Sequence, residues 1–388
     1  MAGKYSNRLG SLAGSEIRNM SIECEKVGGI NLSQGICDLP LPPVLNTATK
    51  DALDSGMNHY TRHDGLDELR AAISQKLLRY NNIQADPLKN IIVTSGSTGA
   101  FYCACLALLN PGDEVVLFEP FYGYHQYTLL ALGITPLYAT LNPPCWEFDA
   151  NEVEKLITKK TKGILINTPA NPSGKVFSRR ELEILADICL RHHLFLFTDE
   201  IYEYIVYDGL SHISPGTLTT IGDRVITISG YSKTFSITGW RIGYCACQEE
   251  LAQQIGYAHD LVYICAPSPL QAGVAKAIQS LPDSFYLSLS AAYEKKRQVL
   301  CEALQEASLQ PYIPQGAYYV LADASRIPGV NSKEKALYLL NKTGVAAVPG
   351  SAFYHQEGGE NLLRFCFAKE DQVLNEACAR LQRIKGFI

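Results

Sequence analysis

The segment Ser229-Gly230-Tyr231-Ser232-Lys233-Thr234-Phe235-Ser236-Ile237-Thr238-Gly239-Trp240-Arg241-Ile242-Gly243-Tyr244 sets one lysine and one arginine among small polar and apolar residues. A lysine in such company is usually a solvated surface group. Lys233, however, follows the apolar run Val225-Ile226-Thr227-Ile228, so its amine can enter a pocket at the end of a buried strand. Desolvation and neighbouring cations there lower a lysine pKa and make the amine competent for Schiff-base chemistry. Arg241 offers a rigid fork for a phosphate dianion.

Asp199 ends Leu194-Phe195-Leu196-Phe197-Thr198, the most apolar run of its kind in the chain. A carboxylate buried there needs a partner, because an unpaired one is costly. A protonated pyridine nitrogen is such a partner, and the carboxylate would keep that ring electron-withdrawing, as pyridoxal chemistry requires. The plainer use of Asp199-Glu200 is a helix cap. Tyr202 can reach the phenolic oxygen of the same ring. So can Asn171, in Asn167-Thr168-Pro169-Ala170-Asn171-Pro172-Ser173-Gly174, unless its amide only shapes the turn. Thr94-Ser95-Gly96-Ser97-Thr98-Gly99-Ala100 reads as strand, small-residue turn and helix, which aims free N–H groups at a phosphate. It lacks the spacing of a dinucleotide fingerprint and the lysine of a P-loop.

Short, uniformly apolar strands position these residues. They are expected at 91–94, 114–118, 164–167, 194–198 and 225–228, with helices between them. One runs from Gly96 to about Leu109. Another runs from Ser178 to about Arg191, where Ser178 and Glu181 form a capping box. Such a pattern means a mostly parallel sheet covered on both faces, with ligands beyond the carboxyl ends of its strands. Ser97, Asn171, Asp199 and Lys233 all fall at such ends. After about residue 285 the pattern thins to helices near 284–307, 332–342 and 370–383 and strands near 317–321 and 362–367. A large αβα domain over 45–285 and a smaller α+β domain from 1–44 and 286–388 are expected.

The composition fits a globular protein: 388 residues, 47% hydrophobic and 19% charged. A net charge of −5 and scattered basic groups argue against nucleic acid. The apolar runs are too short to span a bilayer, and Met1 to Arg8 carries no apolar stretch of signal type. The twelve cysteines form no framework and read as reduced thiols of a cytoplasmic protein. The eight histidines show no metal spacing, so no metal is expected and they read as surface or supporting groups.

Taken in order, these segments resemble the class I/II aminotransferases of the fold-type I pyridoxal-phosphate enzymes, over essentially the whole chain. The resemblance implies an α/β fold with a three-layer large domain and a pyridoxal 5'-phosphate cofactor. It also implies ping-pong transfer of an amino group from an L-amino acid to a 2-oxo acid. Lys233 matches the Schiff-base lysine that shuttles the proton, Asp199 the ring-nitrogen partner, and Tyr202 and Asn171 the ring-oxygen ligands. Arg241, Ser232, Ser97 and the amides of Thr98 and Gly99 match the phosphate site. Tyr122 matches the ring-stacking aromatic, Arg364 the α-carboxylate clamp and Gly35 the backbone that closes over substrate. Tyr60 matches a tyrosine that reaches the neighbouring subunit's phosphate, which implies a homodimer with shared sites.

There are departures. Gly230 stands where relatives often have a serine, and Gly35-Ile36-Cys37-Asp38 lacks the usual proline. Thr98 stands where the aspartate/prephenate branch has a lysine, and no arginine lies between Asp260 and Gln271. A dicarboxylate-only enzyme is therefore disfavoured. The motifs sit closer to the glutamine/kynurenine/methionine/aromatic branch, and a neutral or aromatic side-chain pocket is expected. A β-eliminating lyase on the same scaffold, an aspartate-type aminotransferase and a regulatory domain that kept the fold are the alternatives.

Overall fold

The computed structural model describes Arg8 and residues 14–388; the rest of the Met1–Arg8 segment lies outside the described residues. The chain opens with helix α1 (Glu16–Lys26) and strand β1 (Ile30–Asn31), then helices α2 (Pro43–Asp54) and α3 (Asp67–Lys76). Strand β2 (Ile91–Ser95) leads into α4 (Gly96–Leu108). There follow β3 (Glu114–Glu119), α5 (Gly123–Ala131), β4 (Thr135–Thr140), α6 (Ala150–Leu156), β5 (Thr161–Asn167), α7 (Arg179–His192), β6 (Phe195–Asp199), β7 (Val225–Gly230) and β8 (Ile242–Ala246). These strands form one seven-stranded sheet in the order β2-β8-β7-β6-β5-β3-β4. Only β8 runs against its neighbours, inserted between β2 and β7.

Both faces of the sheet are buried, which is why its strands are apolar at consecutive rather than alternate positions. Along β3, Val116 and Phe118 enter one core while Val115 and Leu117 enter another. The predicted capping box closes α7: the Ser178 side chain accepts from the Glu181 amide and Glu181 reaches back to the Ser178 amide. The twelve cysteines are all free and most are buried.

Beyond β8 come α8 (Glu249–Tyr263), α9 (Ser268–Ser280) and the long α10 (Asp283–Glu306). Then follow β9 (Gln310–Tyr312), β10 (Tyr319–Asp323), α11 (Ser332–Thr343), β11 (Val345–Ala346), β12 (Val348–Pro349), β13 (Leu362–Cys366) and α12 (Asp371–Leu381). A second sheet orders these as β12-β13-β10-β9, and β1 pairs in parallel with β11. Met20, Cys24 and Leu32 from the front of the chain share a core with Leu300, Leu339, Phe365 and Leu381 from its end. That core also takes Ile201, Tyr202 and Ile205, so the two regions meet at the turn after β6. The predicted strand near 317–321 is displaced, because Ala317 has a φ of +57° and the extended run begins only at Tyr319.

Candidate active site

A cavity of about 530 Å³ opens where the carboxyl ends of the large sheet meet the smaller one. Lys233, Ser232, Asp199, Tyr202, Asn171, Tyr122, Ser97, Thr98, Arg241, Gly35 and Arg364 all line it. They arrive from separated places: Ser97 and Thr98 begin α4 after β2, Asn171 follows β5, Asp199 ends β6, and Lys233 follows β7. Arg364 comes from β13 in the second sheet. Two expected residues do not line the cavity. Gly99 lies buried within the first turn of α4, and Tyr60 is 79% exposed.

Lys233 Nζ donates to the Gly35 carbonyl at 3.0 Å and stands 5.7 Å from the Tyr318 ring centroid. Desolvation, reinforced by the charges of Arg241 and Arg364, lowers its pKa from the ordinary lysine value of 10.5. The folded chain then binds fewer protons than the unfolded one between the lowered pKa and 10.5. Burial of Lys233 therefore destabilises cofactor-free protein below that window, and the penalty is relieved as pH rises through it. Cofactor-free wild type should gain stability relative to Lys233→Met as pH climbs towards 10.5, read by denaturant melts at several pH values. A difference that stays constant or shrinks would contradict the lowered pKa.

Asp199 Oδ2 pairs with His125 Nε2 at 2.9 Å, and Oδ1 accepts from the Ile201 amide at 3.2 Å. It caps no helix. Tyr202 Oη bonds Tyr319 Oη at 3.0 Å, and burial pushes its phenol well above the ordinary range, so it remains protonated. Asn171 Oδ1 accepts from Arg364 Nη1 at 2.9 Å, which leaves its NH₂ free to donate. Arg364 is 1% exposed, held between the Tyr319 and Phe353 rings at 4.3 and 5.0 Å. Its Nη2 donates to the Ser33 carbonyl, and its buried Nε has no partner among the described residues. A guanidinium so deeply desolvated, with no carboxylate beside it among the described residues, is ready for an anion.

Arg241 sits at a φ of +59° and donates Nη1 to the Thr238 carbonyl at 2.9 Å. A Cβ on Gly96 would come within 2.3 Å of its Nη2, so only glycine lets the fork lie against the start of α4. That helix has no side-chain N-cap bond, and its first N–H groups remain available. Positive helix end, guanidinium and the hydroxyls of Ser97, Thr98 and Ser232 together fit a phosphate. The Gly230 departure has a physical reason: a Cβ there would meet the backbone of Gly243 and Ile242 at 3.0 Å. Gly35 is held to glycine too, since a Cβ there would meet Tyr319 Oη at 1.9 Å.

Sequence reading missed His125, whose position two residues into α5 carries no motif; only the pairing with Asp199 marks it. It also missed Tyr319 and Arg18, which line the cavity from β10 and α1. Glu200, Glu203 and His212 form the one cluster of metal-ligating side chains among the described residues. Glu200 accepts from Ser214 and Thr198 and pairs with His212, while Glu203 accepts from Lys76, Asn81 and Ser229.

The family described as aminotransferase class I and II matches residues 27–381. The chain belongs to that family. It is 32% identical to human kynurenine–oxoglutarate transaminase 1, covering 92% of each chain. It is 34% identical to the aspartate aminotransferase of Pyrococcus abyssi, covering 98% of this chain and 97% of the other. A methionine aminotransferase structure from Escherichia coli superposes with a TM-score of 0.94 at 31% identity, covering 97% of this chain and 99% of that one. This aminotransferase is thus an enzyme that uses pyridoxal phosphate and acts on amino and 2-oxo acids. Among the described residues no helix is long and apolar enough to cross a membrane.

Proposed function

We propose that the enzyme moves the amino group of an L-amino acid with a neutral or aromatic side chain to a 2-oxo acid, with Lys233 as Schiff-base lysine and proton carrier. The observation that carries this reading is one cavity joining Lys233, Asp199 and the two anion-ready arginines, Arg241 and Arg364. Pyridoxal phosphate bound there supplies the carbonyl that takes up the amino group and the electron sink that acidifies the α-proton.

Each residue then has a task set by its surroundings. Arg241, the α4 amides, Ser97 and Ser232 would hold the phosphate. Asp199, oriented by His125, would accept the ring N–H and keep the ring positive. Tyr202 and the Asn171 amide would donate to the ring oxygen, and Tyr122 would supply an aromatic face to the ring. Arg364 would take the substrate α-carboxylate and so turn its Cα–H towards Lys233. The Lys233 amine would carry the proton between Cα and C4′. The donor and the 2-oxo acid acceptor would use this one site in turn, in ping-pong order.

The side-chain preference is supported by the walls. Ile17, Ile36, Phe101 and Tyr124 line the cavity, and Thr98 stands where an aspartate-type enzyme carries a lysine. Relatives named for kynurenine and methionine point the same way. In a half-reaction screen with single amino acids, neutral or aromatic donors are expected to convert the cofactor roughly tenfold or more faster per KM than aspartate, the worth of one buried apolar side chain. Aspartate as the fastest donor would overturn the preference. Pyruvate and ammonia from a cysteine conjugate without any 2-oxo acid would favour the lyase.

The proposal extends to assembly. Tyr60 lies outside its own cavity, and Leu261, Tyr257 and Ile264 expose an apolar patch at 82%, 53% and 48%. A second copy covering this face would bring its Tyr60 to the phosphate, as a homodimer with shared sites. The shared core of the two chain ends supports domains at 45–285 and at 1–44 with 286–388. The free thiols support a cytoplasmic location.

A further inference from the structure

Strand β2 is the outer strand of the large sheet, so the amides on its free edge need partners from outside the sheet. The Val93 N–H finds one in the Asp64 carbonyl at 3.0 Å. Two residues on, the Ser95 N–H donates at 3.2 Å to Nε2 of His259, a fully buried residue of α8. The other ring nitrogen, Nδ1, meets the His63 carbonyl at 3.0 Å. A backbone amide can only donate and a carbonyl can only accept, so the ring is neutral with its proton on Nδ1. Burial favours that state, lowering the His259 pKa from the ordinary 6.5. His259 does not line the cavity, and the transfer chemistry does not use it.

The bond to Ser95 falls where the strand stops. Ser95 ends β2 and precedes the first residue of α4, at a φ of −71° and a ψ of 65°. Gly96 follows at a φ of +73°, and Thr94 Oγ1 donates to its carbonyl at 3.0 Å. Tyr263, whose ring centroid is 5.3 Å from that of His259, lies against Gly99, where an added Cβ would stand 3.5 Å from it. We propose that His259 is a positioning residue of the phosphate site. By holding the Ser95 amide it fixes the turn from β2 into α4, and with it the direction in which the first N–H groups of α4 point. This rests on the assignment of the cofactor phosphate to Arg241 and the start of α4. The His63 anchor lies three residues after Tyr60, so the same ring ties the phosphate turn to the segment proposed to reach the neighbouring subunit.

The test titrates cofactor-free enzyme with pyridoxal phosphate and, separately, with pyridoxal, which lacks the phosphate. The absorbance of the bound form reads each affinity, and wild type should strongly prefer the phosphorylated one. His259→Phe keeps the bulk of the ring but removes both bonds and leaves the Ser95 N–H without its acceptor. Its affinity for pyridoxal phosphate should fall about tenfold, while that for pyridoxal stays within about twofold of wild type. His259→Gln offers an acceptor oxygen and a donor amide to the same partners and should recover most of the loss. Should His259→Phe not fold, His259→Asn replaces it: its shorter arm serves one partner, and an intermediate loss is expected. A full phosphate preference in the Phe or Asn variant overturns the positioning role. So do equal losses for both forms, or a Gln variant no better than Phe. Equal binding of both forms by wild type, or a preference that survives Arg241→Gln, refutes instead the phosphate assignment on which the role rests.

Discussion

Lys233→Ala should lose amino-group transfer by at least about 10⁴-fold, since in the proposed function one side chain provides both the covalent attachment and the proton transfer. The absorbance of the lysine-bound cofactor should disappear with it. Folding is expected to survive, because the side chain makes a single hydrogen bond, to the Gly35 carbonyl. The cofactor should still bind non-covalently through Arg241 and the start of α4, which equilibrium dialysis can measure. Transfer at the wild-type rate would remove the central assignment. Loss of activity with an unfolded protein would say nothing about catalysis, so a thermal melt accompanies the assay.

Asp199→Asn should keep the shape of the site and remove its charge. An amide cannot hold the ring nitrogen protonated, so the positive end of the electron sink goes. Proton abstraction from Cα is then expected to slow by roughly 10²–10³-fold, the scale for removing a preorganised charge from a dry site. Cofactor affinity should fall far less, because the phosphate ligands are untouched. His125→Asn leaves the carboxylate but removes its 2.9 Å partner, and its effect should fall between wild type and Asp199→Asn. Single-turnover proton exchange at Cα distinguishes these outcomes from slow product release. An unchanged exchange rate in Asp199→Asn would mean that ring charge is set elsewhere.

The Lys233–Arg241 segment, the Asp199–Tyr202 spacing, the Asn171 turn and the glycine turn at Gly96 were legible because each joins an apolar strand to a chemically distinctive residue. Strand ends can be found from local hydrophobicity, and in a parallel sheet they face the same side. Hence residues far apart in sequence could be expected to meet. His125 was not legible, since a histidine inside an amphipathic helix has no local mark, and its pairing with Asp199 depends on how α5 packs across the sheet. β8 also escaped notice: its Ile242 to Ala246 run follows directly on the cofactor segment and pairs antiparallel to both neighbours.

By itself, the order of residues determined the α/β class, the capping of α7, the strand-end position of Lys233 and Asp199, and the chemistry that such a pair can perform. Those features arise within a strand or a turn, where local pattern and propensity dominate. Only the tertiary structure decided that Arg364 is sealed between Tyr319 and Phe353 with an unpaired Nε, that Gly35 bridges to Lys233, that Tyr60 faces outward and that Arg18 stands at the rim. These depend on contacts between the two ends of the chain and its middle, and no short-range pattern encodes which charged side chain such packing buries and which it leaves at the mouth.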